Sequence, residues 1–427
     1  MKIKTKPLPY EQVLALPRPA HREPRRPSLL FRSLMRALGA PDLKDAGFSY
    51  TTEGMDKPGE EPCLILMNHS SFIDLEIVSA IFYPRPCCIV CTSDGFVGKE
   101  GLMRRLGCIP TNKFVSDLQL MADMQHALRE ERCSVLLFPE ASYSFDGTAT
   151  PLPRRMGLML KRLDVPVVSI LTEGAFARDP LYNCLQKRKV PVSAKVRCLF
   201  TREELRQKSV DELDAALDEL FSFDNFRRQR ELGLEIREPF RADGLHRILY
   251  KCASCGAEGQ MEGKGTRLRC RACGKEYELE PLGNLRALTG ETEFPHIPDW
   301  YAWERAQVRQ ELEEGRYLLD VPVKIGMLVD FKAIYLVGEG RLRQNAEGFL
   351  LTGCEGKLRF ERPAKLNYSL YADYFWYELG DIICIGDWET QYYCFPEPGV
   401  PVAKARLATE ENYKLLRGKR RKTVAEA

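Results

Sequence analysis

A histidine and an aspartate lie five positions apart in this chain, at His69 and Asp74. An aspartate that accepts a hydrogen bond from one imidazole nitrogen fixes the tautomer of the histidine and leaves the other nitrogen free to act as a base. The same carboxylate stabilises the imidazolium that forms when the base takes a proton. A histidine beside an aspartate is more often a structural, hydrogen-bonded residue, so the pair becomes informative only together with the segments around it.

Strand-like segments precede the residues that could do chemistry. The apolar run 64–67 comes just before His69, and a second apolar run, 134–138, is followed by Glu140 and Ser142. In α/β folds, binding and catalytic side chains lie on the loops that follow the strands. We therefore expect both strand ends to carry functional side chains.

Two further segments, 106–113 and 164–170, complete an ordered set of four blocks. The set resembles the glycerolipid acyltransferase family of the lysophosphatidic acid and glycerol-3-phosphate type. That family carries the blocks N-H-x4-D, G-x-I-x-x-x-R, F-P-E-G-x-x-S and V-P-V in this order. The resemblance extends over roughly residues 60–200 and rests mainly on the first and third blocks.

The resemblance implies roles for individual residues of the first three blocks. In the family the histidine of the first block is the general base, the aspartate orients it, and the acceptor hydroxyl attacks an acyl thioester directly. This makes His69 the base and Asp74 its partner, with Lys113, Glu140 and Ser142 binding the acceptor. The donor is acyl-coenzyme A or an acylated acyl carrier protein, which the sequence does not distinguish. For Glu140 a helix-capping or structural role is the alternative.

The blocks also depart from the family pattern. Lys113 replaces the usual arginine, and an ammonium binds phosphate less strictly than a bidentate guanidinium. Ala141 and Ser142 stand where glycine and threonine are usual, and Tyr143 stands where many members have a second phosphate-binding arginine. These departures weaken the prediction of a lysophosphatidate acceptor. Five basic residues near the blocks could supply the missing positive charge, although residues of this kind more often form a solvated charged face. They are Lys99, Arg104, Arg105, Arg154 and Arg155.

Composition limits the other possibilities. With 427 residues the chain is long enough for two or more domains. A net charge of +3 gives no overall field that would favour nucleic acid. We see no apolar run long enough for a membrane span and no signal peptide. Most of the fifteen cysteines, outside two Cys-x2-Cys pairs, are scattered through strand-like segments, which suits a reducing compartment. We therefore expect a cytoplasmic protein that associates peripherally with the inner face of the membrane.

The segment 28–38 suggests how such a protein reaches a bilayer. Ser28 is a candidate helix cap, the residues that follow are mostly apolar, and Arg32 and Arg36 are one turn apart. A basic amphipathic helix of this kind can lie at an anionic membrane surface, supported by basic residues near both chain ends. Packing on the catalytic domain is the alternative, and both can hold together.

A four-cysteine pattern is the strongest local signal. Cys252 and Cys255 form one Cys-x2-Cys-Gly unit, and Cys270 and Cys273 form another, with fourteen residues between the two units. Two such turns direct four thiolates at one point, which predicts a structural zinc ribbon. An iron site and a disulfide pairing are the chemical alternatives. A zinc ribbon also raises the possibility of a nucleic-acid-binding factor, although acidic residues offset the basic ones in this segment.

Beyond residue 290 the pattern is β-rich. The region opens with Pro298-Asp299-Trp300 and a charged helix through Trp303 to about Glu314, seven strand-like runs follow, and a helix at about 402–416 closes the domain. This element order resembles a pleckstrin-homology-type barrel, with the aromatic run 368–377 supplying barrel core. The seven runs are 321–329, 333–337, 348–351, 357–360, 369–376, 381–385 and 391–395.

Together these patterns predict an α/β protein with an acyltransferase sheet flanked by helices, a zinc ribbon and a β-rich domain. We expect an enzyme resembling 1-acylglycerol-3-phosphate O-acyltransferases, which acylates a hydroxyl of a lysophospholipid or related glycerolipid. A catalytically silent lipid-binding or scaffold protein and the nucleic-acid factor are the alternatives. The predicted divisions are a basic arm and amphipathic helix at 1–58, the acyltransferase domain at 59–240, the ribbon at 246–284, and the β-rich domain with its basic tail at 290–427.

Overall fold

The computed structural model describes residues 2–115 and 117–425, with residues 419–425 as backbone only. The basic side chains expected at 419–422 lie outside the described residues. The first half of the chain forms the elements β1 (Thr5–Pro7), α1 (Tyr10–Leu14), α2 (Leu29–Asp45), β2 (Ser49–Glu53), β3 (Leu64–Met67), α3 (Ile73–Phe82), β4 (Cys87–Thr92), α4 (Glu100–Arg105), β5 (Cys108–Thr111), α5 (Leu118–Arg129), β6 (Ser134–Leu137), α6 (Met156–Leu163), β7 (Val167–Glu173), α7 (Ala175–Arg178), β8 (Ser193–Phe200), α8 (Arg202–Gln207), α9 (Val210–Leu220) and α10 (Asn225–Glu231).

The second half of the chain contains two further sheets and two long helices. Its elements are β9 (Met261–Lys264), β10 (Arg267–Cys270), β11 (Glu276–Leu279), β12 (Leu285–Ala287), α11 (Ile297–Glu313), β13 (Leu319–Leu328), β14 (Ile334–Asn345), β15 (Gly348–Gly353), β16 (Leu358–Pro363), β17 (Tyr371–Trp376), β18 (Gly380–Gly386), β19 (Gln391–Pro396) and α12 (Val402–Ala425).

The first sheet has the strand order β2-β8-β7-β3-β6-β4-β5. Its pairings are parallel except for β7 with β8. The central strand β3 is buried along its whole length. Its alternate side chains enter two different cores, with Ile65 packed on the α3 side and Leu64 packed on the α5 and α6 side. Helices therefore flank both faces, and the α/β prediction for this region is confirmed.

Helix α2 has two different faces. The Ser28 Oγ atom accepts a hydrogen bond from the backbone N–H of Phe31, so the predicted cap is confirmed. One face packs on α3, where Arg32 donates to the carbonyl of Pro84. Arg36 lies over the ring of Tyr83, 4.5 Å from its centroid. Within the described residues, no helix is both long and apolar enough to cross a membrane.

The other face of α2 carries an exposed apolar stripe. Leu30, Leu34 and Leu38 lie one turn apart along it, with exposed fractions of 74%, 45% and 69%. Monomeric soluble proteins commonly expose single leucines, but a row of three along one helix face is characteristic of a contact surface. The stripe therefore remains available for the membrane contact that the sequence suggested.

The cysteine-containing segment forms a small antiparallel sheet in the order β12-β11-β10-β9. It packs against α11, where the indole N–H of Trp300 donates to the carbonyl of Lys251 at 3.0 Å. The Glu304 carboxylate accepts from the N–H of Lys251 at 2.8 Å. The segment thus docks on the helix that precedes the last sheet.

The last sheet contains the seven predicted strands in the order β16-β15-β14-β13-β19-β18-β17, followed by α12. A β-rich C-terminal region is therefore confirmed, whereas the pleckstrin-homology type of barrel stays a prediction. The N-terminal strand β1 adds to this sheet in parallel, with Thr5 opposite Ile334 and Pro7 opposite Leu336. The N-terminal segment consequently belongs in part to the C-terminal sheet.

Candidate active site

The site lies at the carboxyl ends of β3 and β6, which are neighbours in the first sheet and run parallel. His69 comes two residues after the end of β3, and Glu140 comes three residues after the end of β6. Parallel strands end at the same edge of a sheet, so these side chains meet there. The strand-end position predicted from the sequence is confirmed.

His69 and Asp74 are in direct contact. The Asp74 Oδ2 atom lies 3.0 Å from Nδ1 of His69 and also accepts from the backbone N–H groups of Ser70, at 2.9 Å, and Ser71, at 3.2 Å. Asp74 occupies the first turn of α3, where the helix dipole favours a negative charge. Because an ionised carboxylate only accepts hydrogen bonds, the Nδ1 atom carries a proton and Nε2 is the nitrogen able to accept one.

The imidazole of His69 lies between two aromatic rings. The ring centroids of Phe138 and Tyr143 are 4.0 Å and 4.1 Å from that of His69, and both pairs are stacked. Both ring faces are therefore covered, and the side chain is 17% exposed. Burial lowers the pKa of His69 below its ordinary value, while hydrogen bonding to Asp74 raises it and the charge of Lys113 lowers it further. The imidazole is thus neutral at pH 7, as a base requires.

Glu140 is fully buried and faces the protein backbone. Its Oε1 accepts from the N–H of His69 at 3.3 Å, and its Oε2 accepts from the N–H and hydroxyl of Thr150 at 2.8 Å and 3.1 Å. Burial raises the pKa of Glu140 to about 7, opposed by the hydrogen bonds from Thr150 and His69. The N–H of Ser144 donates to the carbonyl of His69 at 3.2 Å, so the third block holds the first from two sides.

Two residues of the third block that depart from the family pattern, Ala141 and Ser142, follow Glu140 directly. Ala141 has φ 55°, in the left-handed region that glycine adopts without strain. The usual glycine at this position therefore has a backbone reason, and the chain retains the same turn with alanine. Ser142 is 3% exposed, and its hydroxyl has no hydrogen-bond partner among the described residues.

In the described part of the chain, Lys113 forms no hydrogen bond or ion pair with the other predicted site residues, although its charge acts on His69. It follows β5 at the edge of the sheet, and its ammonium lies 4.1 Å from the ring centroid of Tyr371 in the C-terminal sheet. Burial lowers the pKa of Lys113, while the charges of Asp373 and Asp94 raise it. The structure therefore brings His69, Asp74 and Glu140 together directly, and it places Lys113 against a wall formed by β17.

Residues of this wall and its support were missed by the sequence analysis. The hydroxyl of Tyr371 and the indole N–H of Trp376 donate to Oδ2 of Asp94, at 2.8 Å and 3.1 Å. The rings of Tyr374 and Phe145, just after the third block, are 4.7 Å apart. Tyr371, Tyr374 and Trp376 of the aromatic run are buried as expected, whereas Phe375 is 43% exposed, and the buried members contact loops of the first sheet. Thr150 was also missed, since nothing around it in the sequence points to Glu140.

The four cysteines of the ribbon form a cluster that suits a metal ion. Their Sγ atoms all lie within 4.8 Å of one another, and the pairs Cys252–Cys273 and Cys255–Cys270 are both 3.8 Å apart. In a tetrahedral zinc site with metal–sulfur bonds of about 2.3 Å, the sulfur atoms are about 3.8 Å apart. The donor set and its spacing therefore fit zinc, with all four positions filled by protein.

A comparison with protein-family models agrees with the acyltransferase interpretation. Residues 49–173 match the family model described as Acyltransferase. This region is therefore a domain of the acyltransferase type, and the resemblance seen in the motifs is confirmed at that level. No curated protein sequence matches the chain.

The chain is also similar to a solved structure, the 1-acyl-sn-glycerophosphate (LPA) acyltransferase PlsC from Thermotoga maritima. The sequence identity is 15% and the TM-score is 0.35. The match covers 44% of this chain and 76% of that one.

Proposed function

We propose that the protein transfers a fatty acyl group from an acyl thioester to a hydroxyl of a lysophospholipid or related glycerolipid. The observation that carries the proposal is the hydrogen bond between His69 and Asp74, at the strand end of a domain that matches the acyltransferase family. A buried, neutral imidazole with one nitrogen held by a carboxylate is able to act as a general base, which supports the proposal. The family match supports acyl transfer in general. The acceptor hydroxyl and the general base are our own assignments.

The proposed reaction is one direct displacement. The Nε2 atom of His69 takes the proton of the acceptor hydroxyl as its oxygen attacks the thioester carbonyl. The carbon–sulfur bond then breaks, and the leaving thiolate receives the proton from the imidazolium. Asp74 stabilises the imidazolium in between. Glu140 holds the His69 backbone in place, while Lys113 and Ser142 belong to the acceptor side of the site. The thioester is that of coenzyme A or of acyl carrier protein.

The acceptor is a lipid, so the protein must work at a membrane surface. The leucine stripe of α2, which comprises Leu30, Leu34 and Leu38, faces outward. Phe72 is 62% exposed and packs edge-on against Tyr143, which stacks on His69. We assign these apolar groups to contact with the inner face of an anionic membrane, with basic residues near the N-terminus adding electrostatic attraction.

We assign zinc to Cys252, Cys255, Cys270 and Cys273 as a structural ion. Four thiolates leave no position open for substrate, so the ion would stabilise the small sheet and its docking on α11. The nucleic-acid alternative finds little support in the ribbon's surface charges. Arg267 and Arg269 both pair with Glu276, and Arg286 pairs with two other glutamates. These ion pairs leave little free positive charge for a phosphate backbone.

Thiol release from palmitoyl-coenzyme A tests the proposal, measured with a panel of lysophospholipids and glycerolipids in vesicles. The wild type should release thiol only with an acceptor present, and His69→Ala should lower the rate by about 10²- to 10⁴-fold. His246→Ala is the matched control, since His246 lies beside the ribbon, where its Nδ1 accepts from the N–H of Gly263. If neither coenzyme A nor acyl carrier protein thioesters turn over, the silent lipid-binding alternative replaces the enzyme.

A further inference from the structure

The acceptor side of the site contains a wall that comes from the C-terminal sheet. Tyr371 lies beneath the ammonium of Lys113, and Asp373 is two residues further along the same strand. The pairing of β17 with β18 is regular from Tyr371 to Asp373, so the two side chains point to the same face. A spacing of two strand residues is about 7 Å. A cation and a carboxylate are therefore presented side by side.

Contacts on both sides fix this wall. The Asp94 carboxylate accepts from Tyr371 and Trp376, and the Trp376 indole N–H also lies 2.9 Å from the Tyr371 hydroxyl. Next to Lys113, the ring of Phe114 packs edge-on against that of Tyr368, with centroids 5.3 Å apart. The wall is thus part of the folded site and is held by a buried hydrogen-bond network.

The groups that form the pair are open to a ligand. Lys113 and Asp373 are both partly exposed, and no ion pair within 4 Å engages either of them in the described part of the chain. One oxygen of Asp373 accepts from the N–H of Tyr374 at 2.8 Å. The ammonium and the remaining carboxylate oxygen therefore keep hydrogen-bonding capacity for a bound headgroup.

The charges of this surface suit some headgroups better than others. A phosphomonoester carries close to two negative charges, and it would meet one cation, Lys113, beside the carboxyl groups of Asp373 and Asp94, whose charges act on that ammonium. Burial raises the pKa of Asp373 to about 7, and the charge of Lys113 favours its ionised form. Tyr143, which stacks on His69, supplies no further positive charge. Placing a dianion in such surroundings costs desolvation and repulsion that one ammonium does not offset. A zwitterionic headgroup would satisfy both members of the pair.

We propose that Lys113 and Asp373 select an acceptor with a zwitterionic headgroup, whose phosphodiester faces Lys113 and whose ammonium faces Asp373. This inference rests on the proposed function, since it names the acceptor class of the same site. It makes the C-terminal sheet a determinant of specificity. Asp373 acts on binding and takes no part in proton transfer.

Equilibrium binding tests the inference without turnover. Calorimetry on the full chain would compare lysophosphatidylethanolamine, lysophosphatidate and monoacylglycerol of one acyl length, below their micelle concentrations. The zwitterion should bind about tenfold more tightly than lysophosphatidate, a difference of about 1.4 kcal/mol. In Asp373→Asn, which keeps the acceptor for the Tyr374 N–H, that preference should disappear. In the control Asp320→Asn, at an exposed pair with Arg341, it should persist.

Two results would overturn the inference. One is a wild type that binds lysophosphatidate or monoacylglycerol at least as tightly as the zwitterion, and the other is an unchanged preference in Asp373→Asn. The proposed function is judged separately by His69-dependent thiol release. If release occurs without a headgroup preference, only the inference fails. If the preference is seen without release, headgroup recognition stands and the enzyme assignment fails.

Discussion

The carboxylate of Asp94 accepts a hydrogen bond of 2.8 Å from the hydroxyl of Tyr371, which lies 277 residues further along the chain. Asp94 follows β4 of the first sheet, and Tyr371 begins β17 of the last. Both residues are buried. The contact joins the acyltransferase-type domain to the C-terminal sheet directly beside Lys113, whose ammonium lies over the Tyr371 ring.

Removing the Asp94 carboxylate should loosen this junction. In Asp94→Ala the Tyr371 hydroxyl and the Trp376 indole N–H lose their shared acceptor, which we expect to cost about 2–3 kcal/mol. Urea unfolding would measure the loss, and limited proteolysis between the two sheets should become faster. Asp94→Asn keeps an acceptor oxygen and should lose less. Equal proteolysis of Asp94→Ala and wild type would show that other contacts hold the sheets together.

The pH dependence of turnover should reflect the surroundings of His69. Because burial lowers the pKa of His69, kcat/KM should stay level near pH 7 and fall only below the ordinary pKa of histidine. The base must be neutral, so activity is lost as pH falls through this pKa. Asp74→Asn removes a group that raises the pKa and should move the acid limb to lower pH.

Lys113→Gln should shift the pKa of His69 in the direction opposite to Asp74→Asn. Lys113 lowers the pKa of His69, so its removal should move the acid limb of the kcat/KM profile to higher pH. A pH profile recorded on the wild type and both variants would check the two directions together. Shifts of the same sign in both variants would mean that the titrating group is not His69.

The sequence predicted the contact of His69 with Asp74 because a local spacing at a strand end determines it. The ligand set of the ribbon was predictable for the same reason, since two Cys-x2-Cys-Gly turns are each built from neighbouring residues. The capping box that Ser209 and Glu212 form at the start of α9 depends on a local spacing in the same way. The seven strands of the last sheet likewise followed from short alternating patterns.

The wall beside Lys113 was not predictable by these means. Tyr371 and Asp373 come near Lys113 only because two sheets dock on each other, and that docking leaves no periodic pattern in the chain. The alternation in β17 indicated burial, and Tyr371 is indeed buried. It did not indicate that the burying surface includes Asp94. The hydrogen bonds from Thr150 to Glu140 were not predictable for a related reason, since the hydroxyl of a loop residue has no partner at a fixed sequence spacing.

Thr150 should influence the site through Glu140. Thr150→Val removes the hydroxyl that donates to Oε2 while preserving shape and the backbone N–H, and should cost about 1 kcal/mol of stability. We also expect a lower kcat, because Glu140 holds the backbone of His69. Thr148→Val is the control, since the Thr148 hydroxyl bonds to Asp146 instead. Unchanged kcat in Thr150→Val would show that Glu140 holds the His69 backbone without the Thr150 hydroxyl.

Metal analysis of the purified protein should find about one zinc ion per chain. Cys252→Ser should lower the zinc content and, because the ribbon docks on α11, reduce the midpoint of thermal unfolding. Cys354→Ser is the control, since Cys354 is a buried cysteine outside the cluster. Less than about half an equivalent of zinc, together with wild-type stability in Cys252→Ser, would contradict the structural zinc assignment.

The stripe on α2 should decide whether the protein binds membranes. Replacing Leu30, Leu34 and Leu38 with serine removes the apolar contact without disturbing the face of α2 that packs on α3. We expect co-sedimentation with anionic vesicles to fall by about tenfold or more, since each buried leucine contributes about 1.5–3 kcal/mol. The control replaces three leucines of similar exposure elsewhere, which are Leu232, Leu318 and Leu366.

Membrane binding and catalysis can be separated with the same variants. If the stripe acts only at the bilayer, its triple variant should lose turnover of lipid acceptors in vesicles but keep turnover of monomeric, short-chain acceptors. Phe72 provides an intermediate case because it is exposed and also packs against Tyr143. Phe72→Ala should therefore weaken both vesicle binding and turnover of the monomeric acceptor. Equal vesicle binding by the wild type and the triple variant would place the membrane contact elsewhere and leave the stripe without a role in lipid access.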